Sequence, residues 1–154
     1  MKRSRNMVLG LLALAALAIA QVANAEDLLM ARSRQPFPEA MLSLQDAITH
    51  HGYVVSRVQR VDVGLTRSGF KTDKYRVVFF GKPDQVRGLV RNHPELIPYL
   101  PLKIAIFAEG TETVLVAANP RDYDRFFPHS ALRPVFAAWA RDLQAILDEV
   151  RKAN

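Results

Sequence analysis

One stretch of the chain, from Leu100 to Pro120, constrains the fold more than any other. Two apolar runs rich in β-forming residues, 102–108 and 113–118, flank a Glu-Gly-Thr-Glu segment. This arrangement is typical of a β-hairpin. Because side chains alternate across a strand, the even-numbered residues of the first run share one face, whereas Lys103 and Phe107 lie on the other. We expect the rest of the chain to pack on or beside this hairpin.

The first 25 residues have the three-part layout of a secretory signal peptide. Three basic residues lie within the first five positions, an uncharged apolar run follows at 7–20, and Ala23-Asn24-Ala25 is a small-residue cleavage pattern. The apolar run is shorter than the roughly 20 residues that a transmembrane helix needs. The alternative is an N-terminal anchor that stays uncleaved. We predict a signal peptide (1–25) cleaved after Ala25, a periplasmic or secreted protein without stable membrane insertion, and one mature domain, 26–154.

The charge and the cysteine content of the chain exclude several function classes. The formal net charge is +6. The predicted leader holds three of the positive charges and no acidic residue, so the mature side chains carry +3. Such a mild excess does not indicate a nucleic-acid-binding protein, and export would separate the chain from nucleic acid. The chain has no cysteine, which excludes disulfides and thiolate metal sites.

Hydrophobic periodicity in the mature domain predicts the element order β-α-β-β-α-β-β-α. The five strands are predicted at 28–32, 53–63 (with a bulge near Gln59), 74–80, 102–108 and 113–118. The three helices are predicted from Phe37 to Gly52, from Pro83 to a point before Pro94, and over 131–152 with Ser130 as its cap. Residues 64–73 are polar and are predicted to be a loop. This order favours an α+β two-layer sandwich in which helices pack on a mostly antiparallel sheet.

Three predicted helices are available to cover the two faces of the predicted sheet. We expect the first and second helices to cover one face. The other face would then carry Phe107 and Leu115, with Tyr53 or Tyr75 beside them. Either the C-terminal helix or a second subunit must cover these side chains, because a large exposed apolar patch is uncommon on a monomer. We therefore predict a homodimer.

The four histidines show no ligand spacing typical of a metal site. His50 and His51 are adjacent, so their side chains should diverge on a helix. Surface or helix-end positions explain the histidines without any ligand. Axial haem ligation or metal binding by His51, His93 or His129 remains an alternative, because one or two histidines suffice to hold haem iron.

Lys103 is the most informative charged residue because it lies in the middle of a predicted strand. One interpretation is a lysine that extends along a half-exposed face with its amine in water. The other is a contact to an anion at a cleft or dimer seam. Arg121, Tyr123 and Arg125 follow the neighbouring strand and would add hydrogen-bond donors nearby, unless they form an ordinary polar surface loop.

Several short motifs in a fixed order resemble the domain of unknown function 302 family over residues 37–125. These are Gly52-Tyr53, Val61-Asp62-Val63, Phe80-Gly81-Lys82-Pro83, Pro94, Leu100-Pro101-Leu102-Lys103-Ile104, and Asn119-Pro120 followed by Tyr123 and Arg125. The resemblance implies a small, often exported α/β domain that tends to dimerise and has no established activity.

The chain departs from the pattern of that family at positions that carry reactive groups. Histidines found in members of the family are replaced here by Val63 and Phe126, and the cysteines of some members are absent. The polar positions that still match are Asp62, Lys103, Asn119, Tyr123 and Arg125. The resemblance makes these five the candidate ligand-binding residues, and they are a thin set for acid–base catalysis.

We therefore interpret the chain as an exported, homodimeric binding or accessory domain that takes a small anionic ligand or a protein partner. A periplasmic haem- or metal-handling protein is one alternative. An enzyme with acid–base residues brought together at a dimer cleft is the second alternative, and it ranks last because the histidine positions are lost. No cofactor and no catalytic residue is assigned from the sequence.

Overall fold

The computed structural model describes residues 28–128 and 131–153. The strands are β1 (Leu28–Ser33), β2 (Val54–Arg60), β3 (Tyr75–Gly81), β4 (Leu102–Glu109) and β5 (Glu112–Ala118). The helices are α1 (Phe37–His50), α2 (Val61–Arg67), α3 (Pro83–Asn92) and α4 (Arg133–Lys152), with 3₁₀ segments at Pro94–Tyr99 and Pro120–Arg125. Helices packed on a five-stranded antiparallel sheet confirm the predicted α+β class. The predicted leader and the predicted cap Ser130 lie outside the described residues.

The predicted hairpin is confirmed and lies at the centre of the sheet. The strand order is β1-β5-β4-β3-β2, so β4 is the middle strand and β5 is its neighbour. Ile106 pairs with Leu115 and Glu109 pairs with Glu112. Gly110 has a φ of 62°, a left-handed conformation that suits glycine in a tight turn. No helix among the described residues is long and apolar enough to cross a membrane.

One face of the sheet packs against α1 and α4. This arrangement corrects two predictions, one about the helices that cover this face and one about the face on which Leu115 lies. The second predicted helix, α3, covers little of this face, because none of its ten residues is buried and only the half-buried Leu89 packs against the core. The long C-terminal helix takes that place, with seven buried residues. Leu115 is also on this face, since it pairs with Ile106 and is fully buried. The main members of the shared core are Leu44, Ile48, Ile104, Ile106, Leu115, Phe136, Trp139 and Ile146.

The segment after β2 corrects the predicted strand 53–63 and the predicted loop 64–73. The strand ends at Arg60, and its bulge lies between Val55 and Arg57 rather than near Gln59. The chain then forms α2, which packs against β3. Its half-buried residues Val61 and Leu65 are four positions apart, which places them on one side of a helix. The β-branched residues suggested a strand, but tertiary packing overrides that preference.

Asp62 lies in the first turn of α2 and ties this helix to the sheet. Its carboxylate accepts a hydrogen bond from Arg76 on β3 and another from the amide of Val63. The guanidinium of Arg76 also lies over the ring of Phe37, 5.7 Å from its centroid. The contact with Arg76 lowers the pKa of Asp62 below its ordinary value.

The lowered pKa gives a testable pH dependence of stability. A carboxyl group with a lowered folded-state pKa stabilises the fold above its unfolded pKa of about 3.9, and this contribution is lost as the pH falls further. We expect D62N to lower the urea midpoint at pH 7 and to reduce its decrease between pH 5 and pH 3. Part of that decrease should remain, because His50 lowers the pKa of Glu149 in the same direction. D84N is the control, since the side chain of Asp84 is 94% exposed; an equal effect of both variants would contradict the assignment.

Candidate functional site

The sheet face opposite α1 and α4 is accessible except at Val114, which is buried, and we call it the open face. It consists of the odd-numbered residues of β3 and β4 and the even-numbered residues of β1 and β5. Its central row runs through Met30, Val116, Ala105 and Val77 in register. Met30 is 58% exposed, and the other three are half-buried and lie outside the core cluster. A continuous apolar strip therefore crosses the sheet on this side.

The two ends of the open face carry opposite charges. At one end Glu109 and Glu112 face each other, and both contact the single guanidinium of Arg32. At the other end Lys103 and Arg57 lie on either side of Phe79 in the strand register. One end of the strip is thus net negative and the other is positive.

A small cavity lies at the positive end of the sheet, where β4 begins and β5 ends. Its volume is about 160 Å³. It is lined by Pro98, Tyr99, Leu102, Lys103, Ala118, Tyr123 and Leu143, and we call it the end cavity. None of these lining residues is acidic. The volume is well below the roughly 300 Å³ at which pockets for drug-sized ligands begin, so only a ligand of a few heavy atoms fits.

Aromatic packing holds the tyrosines of the end cavity in place. Tyr123, in the second 3₁₀ segment, has its ring centroid 5.1 Å from that of Tyr99 and 5.6 Å from that of Phe136. Burial, followed by the proximity of Tyr99 and Asp122, raises the pKa of Tyr123 above its ordinary value. The phenol therefore keeps its proton at neutral pH and can donate a hydrogen bond.

The structure brings together two of the five residues that the sequence nominated for ligand binding. Lys103 and Tyr123 both line the end cavity. Asn119 is buried and accepts a hydrogen bond from the amide of Arg121, which makes it the cap of the 3₁₀ segment that carries Tyr123. Arg125 is exposed and lies 3.9 Å from Asp122.

Asp62 does not belong to this group. Its partner Arg76 pairs with Ile106, whereas Lys103 pairs with Phe79, so Asp62 lies toward the opposite end of β3. Sequence reasoning missed Tyr99, which reaches the cavity from the proline-rich segment before β4. Pro94, Pro98 and Pro101, which restrict the backbone of this segment, were the available signal.

The two described histidines among the metal or haem candidates, His51 and His93, contact different glutamates. His51 contacts Glu149 at 3.2 Å, and His93 contacts Glu95 at 3.2 Å. His129 lies outside the described residues. Sequence reasoning also discounted His50, which contacts Glu149 together with His51.

Comparison with known proteins identifies a matching family and a solved structure with a similar fold. The family model described as Domain of unknown function DUF302 matches residues 30–150. The chain is similar to a crystal structure of an uncharacterized conserved DUF302 protein from Bacillus stearothermophilus, with 18% sequence identity and a TM-score of 0.75. The match covers 82% of this chain and 100% of that one, and at this identity it shows the fold alone. No curated protein matches the chain.

Proposed function

This chain belongs to the DUF302 family, and from that premise we propose that it is a small binding domain that captures a small anion in the end cavity. One observation carries the proposal. Lys103 and Tyr123, which come from different parts of the chain, line the same small cavity beside Tyr99. One lysine and two tyrosines are among its lining residues, and no acidic residue is.

The chemistry of the lining defines the class of ligand. An ammonium group attracts an anion as a point charge, and a protonated phenol donates a hydrogen bond to it. Leu102 and Leu143 supply apolar wall on the core side of the cavity. Together with the volume of about 160 Å³, this favours a short carboxylic acid or an inorganic oxyanion.

We further propose that the protein is exported and works as a homodimer through the open face. Export follows from the signal-peptide pattern of residues 1–25. A second copy is the occupant that fits the open face best, because the two ends of the face carry opposite charges and an apolar strip joins them. Turned end for end, the positive end around Lys103 in one copy would lie over Glu109 in the other, with the apolar strips between them.

Calorimetric titration with sodium acetate and with inorganic phosphate tests the anion site. We expect K103M and Y123F each to weaken binding of the preferred anion by about tenfold, because each removes one charge-assisted contact. R125Q is the matched control, since Arg125 is a neighbouring basic residue that does not line the cavity. Unchanged affinity in K103M, or an equal loss in R125Q, would contradict the proposal.

The two alternatives from the sequence stay predictions. Haem handling through His51, His93 or His129 is tested by the visible spectrum of the purified protein after haem addition.

An enzyme at the dimer cleft would need acidic residues that face each other across the open face. Glu109 and Glu112 are the carboxylates that lie there, and Arg32 contacts both of them.

A further inference from the structure

We propose that His50, His51 and Glu149 form a binding site for a divalent first-row transition cation such as Zn²⁺. The site goes beyond the proposed anion-binding function, because none of the three residues lines the end cavity. One ligand atom from each residue can be chosen so that all three lie within 4.8 Å of one another. The arrangement joins the end of α1 to the last turns of α4.

The end of α1 explains why two adjacent histidines converge. His50 is the last helical residue, and His51 follows it with a φ of −82° and a ψ of 12°. The chain leaves the helix at this point, so the two rings do not diverge as they would within a continuous helix. Their centroids are 5.4 Å apart, and both rings turn toward α4. The expectation that adjacent histidines point apart is therefore wrong here.

Two of the three distances between the ligand atoms are close to those in the first coordination shell of such a cation, and the third is at most about 4.8 Å. Nδ1 of His50 lies 3.1 Å from the carboxylate oxygens of Glu149, and Nε2 of His51 lies 3.2 Å from one of them. Metal–ligand bonds of about 2.0–2.1 Å in a tetrahedral site place neighbouring ligand atoms about 3.3 Å apart. The carboxylate and both imidazoles can thus reach one ion with small side-chain rotations.

The donor set selects the class of ion. Two imidazole nitrogens and one carboxylate oxygen suit Zn²⁺, Co²⁺, Ni²⁺ or Cu²⁺ rather than Ca²⁺ or Mg²⁺, which prefer oxygen ligands alone. Three protein ligands leave one or more positions for water or another molecule. The His50 side chain is 74% exposed, so the ion can enter from solvent without any rearrangement of the core.

Titration of the purified protein with Zn²⁺, followed by calorimetry, tests the site. We expect one equivalent to bind, and we expect H50Q, H51Q and E149Q each to weaken binding by at least about tenfold. H93Q is the matched control, because His93 also contacts a glutamate, at 3.2 Å, but lies outside the cluster. Titration with Co²⁺ should produce visible absorption bands in the wild type and in H93Q, and these bands should be absent in E149Q.

Thermal unfolding separates a metal site from a simple ion pair between helices. An ion that binds only the folded state raises its melting temperature, so Zn²⁺ should raise Tm in the wild type and in H93Q but not in E149Q. Because His50 is mostly exposed, H50Q should retain the fold and provides a second test if E149Q is unstable. Equal Zn²⁺ affinity in the wild type, H50Q and E149Q would overturn the proposal. A wild-type Tm that does not respond to Zn²⁺ would overturn it as well.

Discussion

Replacing Phe136 with alanine should lower the free energy of unfolding by about 3–5 kcal/mol, the range for large aromatic residues in a core. Phe136 is 1% exposed, and its ring contacts those of Tyr123, Phe127 and Trp139 with centroids 5.6 to 6.2 Å apart. The truncation would leave a cavity between α4 and the second 3₁₀ segment. Denaturation by urea, followed by circular dichroism, measures the change.

The adjacent region supplies a matched control for this variant. Phe126 is 65% exposed, so F126A should change the free energy of unfolding by no more than about 0.5 kcal/mol. F136A should also weaken anion binding, because the ring of Phe136 supports Tyr123 in the end cavity. Similar unfolding free energies for F136A and F126A would contradict the described packing of α4.

Replacing Val116 with glutamate should convert the proposed dimer into monomers. Val116 lies in the middle of the open face, between Met30 and Ala105 in the register. In a dimer joined through this face, the variant would bury two carboxylates without partners, each at a cost of several kcal/mol. The dimer dissociation constant should therefore rise by more than about a hundredfold. Analytical ultracentrifugation over a range of concentrations measures it.

L42E controls for the general effect of adding a charge to an apolar surface. Leu42 is 63% exposed and lies on α1, the helix that packs on the opposite side of the sheet. We expect L42E to remain dimeric and V116E to retain the circular dichroism spectrum of the wild type. Dimers in V116E would show that the open face is not the interface, and monomers in L42E would show that the test lacks specificity.

Much of the fold could be predicted because it is encoded in local patterns. The hairpin of β4 and β5 has alternating apolar residues and a glycine in its turn, and α4 has an apolar stripe over five turns. The failures came from short or ambiguous segments. Val61 and Val63 favour a strand by composition, but α2 forms where Asp62 accepts hydrogen bonds and the helix packs on β3.

The assignment of faces failed for a related reason. The parity of buried positions changes across the turn at Gly110, so even residues of β4 share a face with odd residues of β5. Extending the odd-numbered face of β4 into β5 places Leu115 with Phe107, whereas the register places it with Ile106. Strand pairing decides this point, and the pattern within either strand alone does not.

The candidate sites depend on contacts between distant parts of the chain. Lys103 could be identified because a charge in the middle of a strand is unusual, and Tyr123 followed from the family resemblance. Tyr99 and the pairing of His50 with Glu149 could not be found in this way. The latter contact joins residues 99 positions apart, and it depends on how the ends of α1 and α4 pack.

Native mass spectrometry of the protein purified from the cells that make it naturally is the decisive test of the proposed dimer, anion site and export. The account predicts two chains, each beginning at Glu26, that retain a small anion, and it predicts that the K103M variant lacks this anion. A monomer without any bound small molecule would contradict the account.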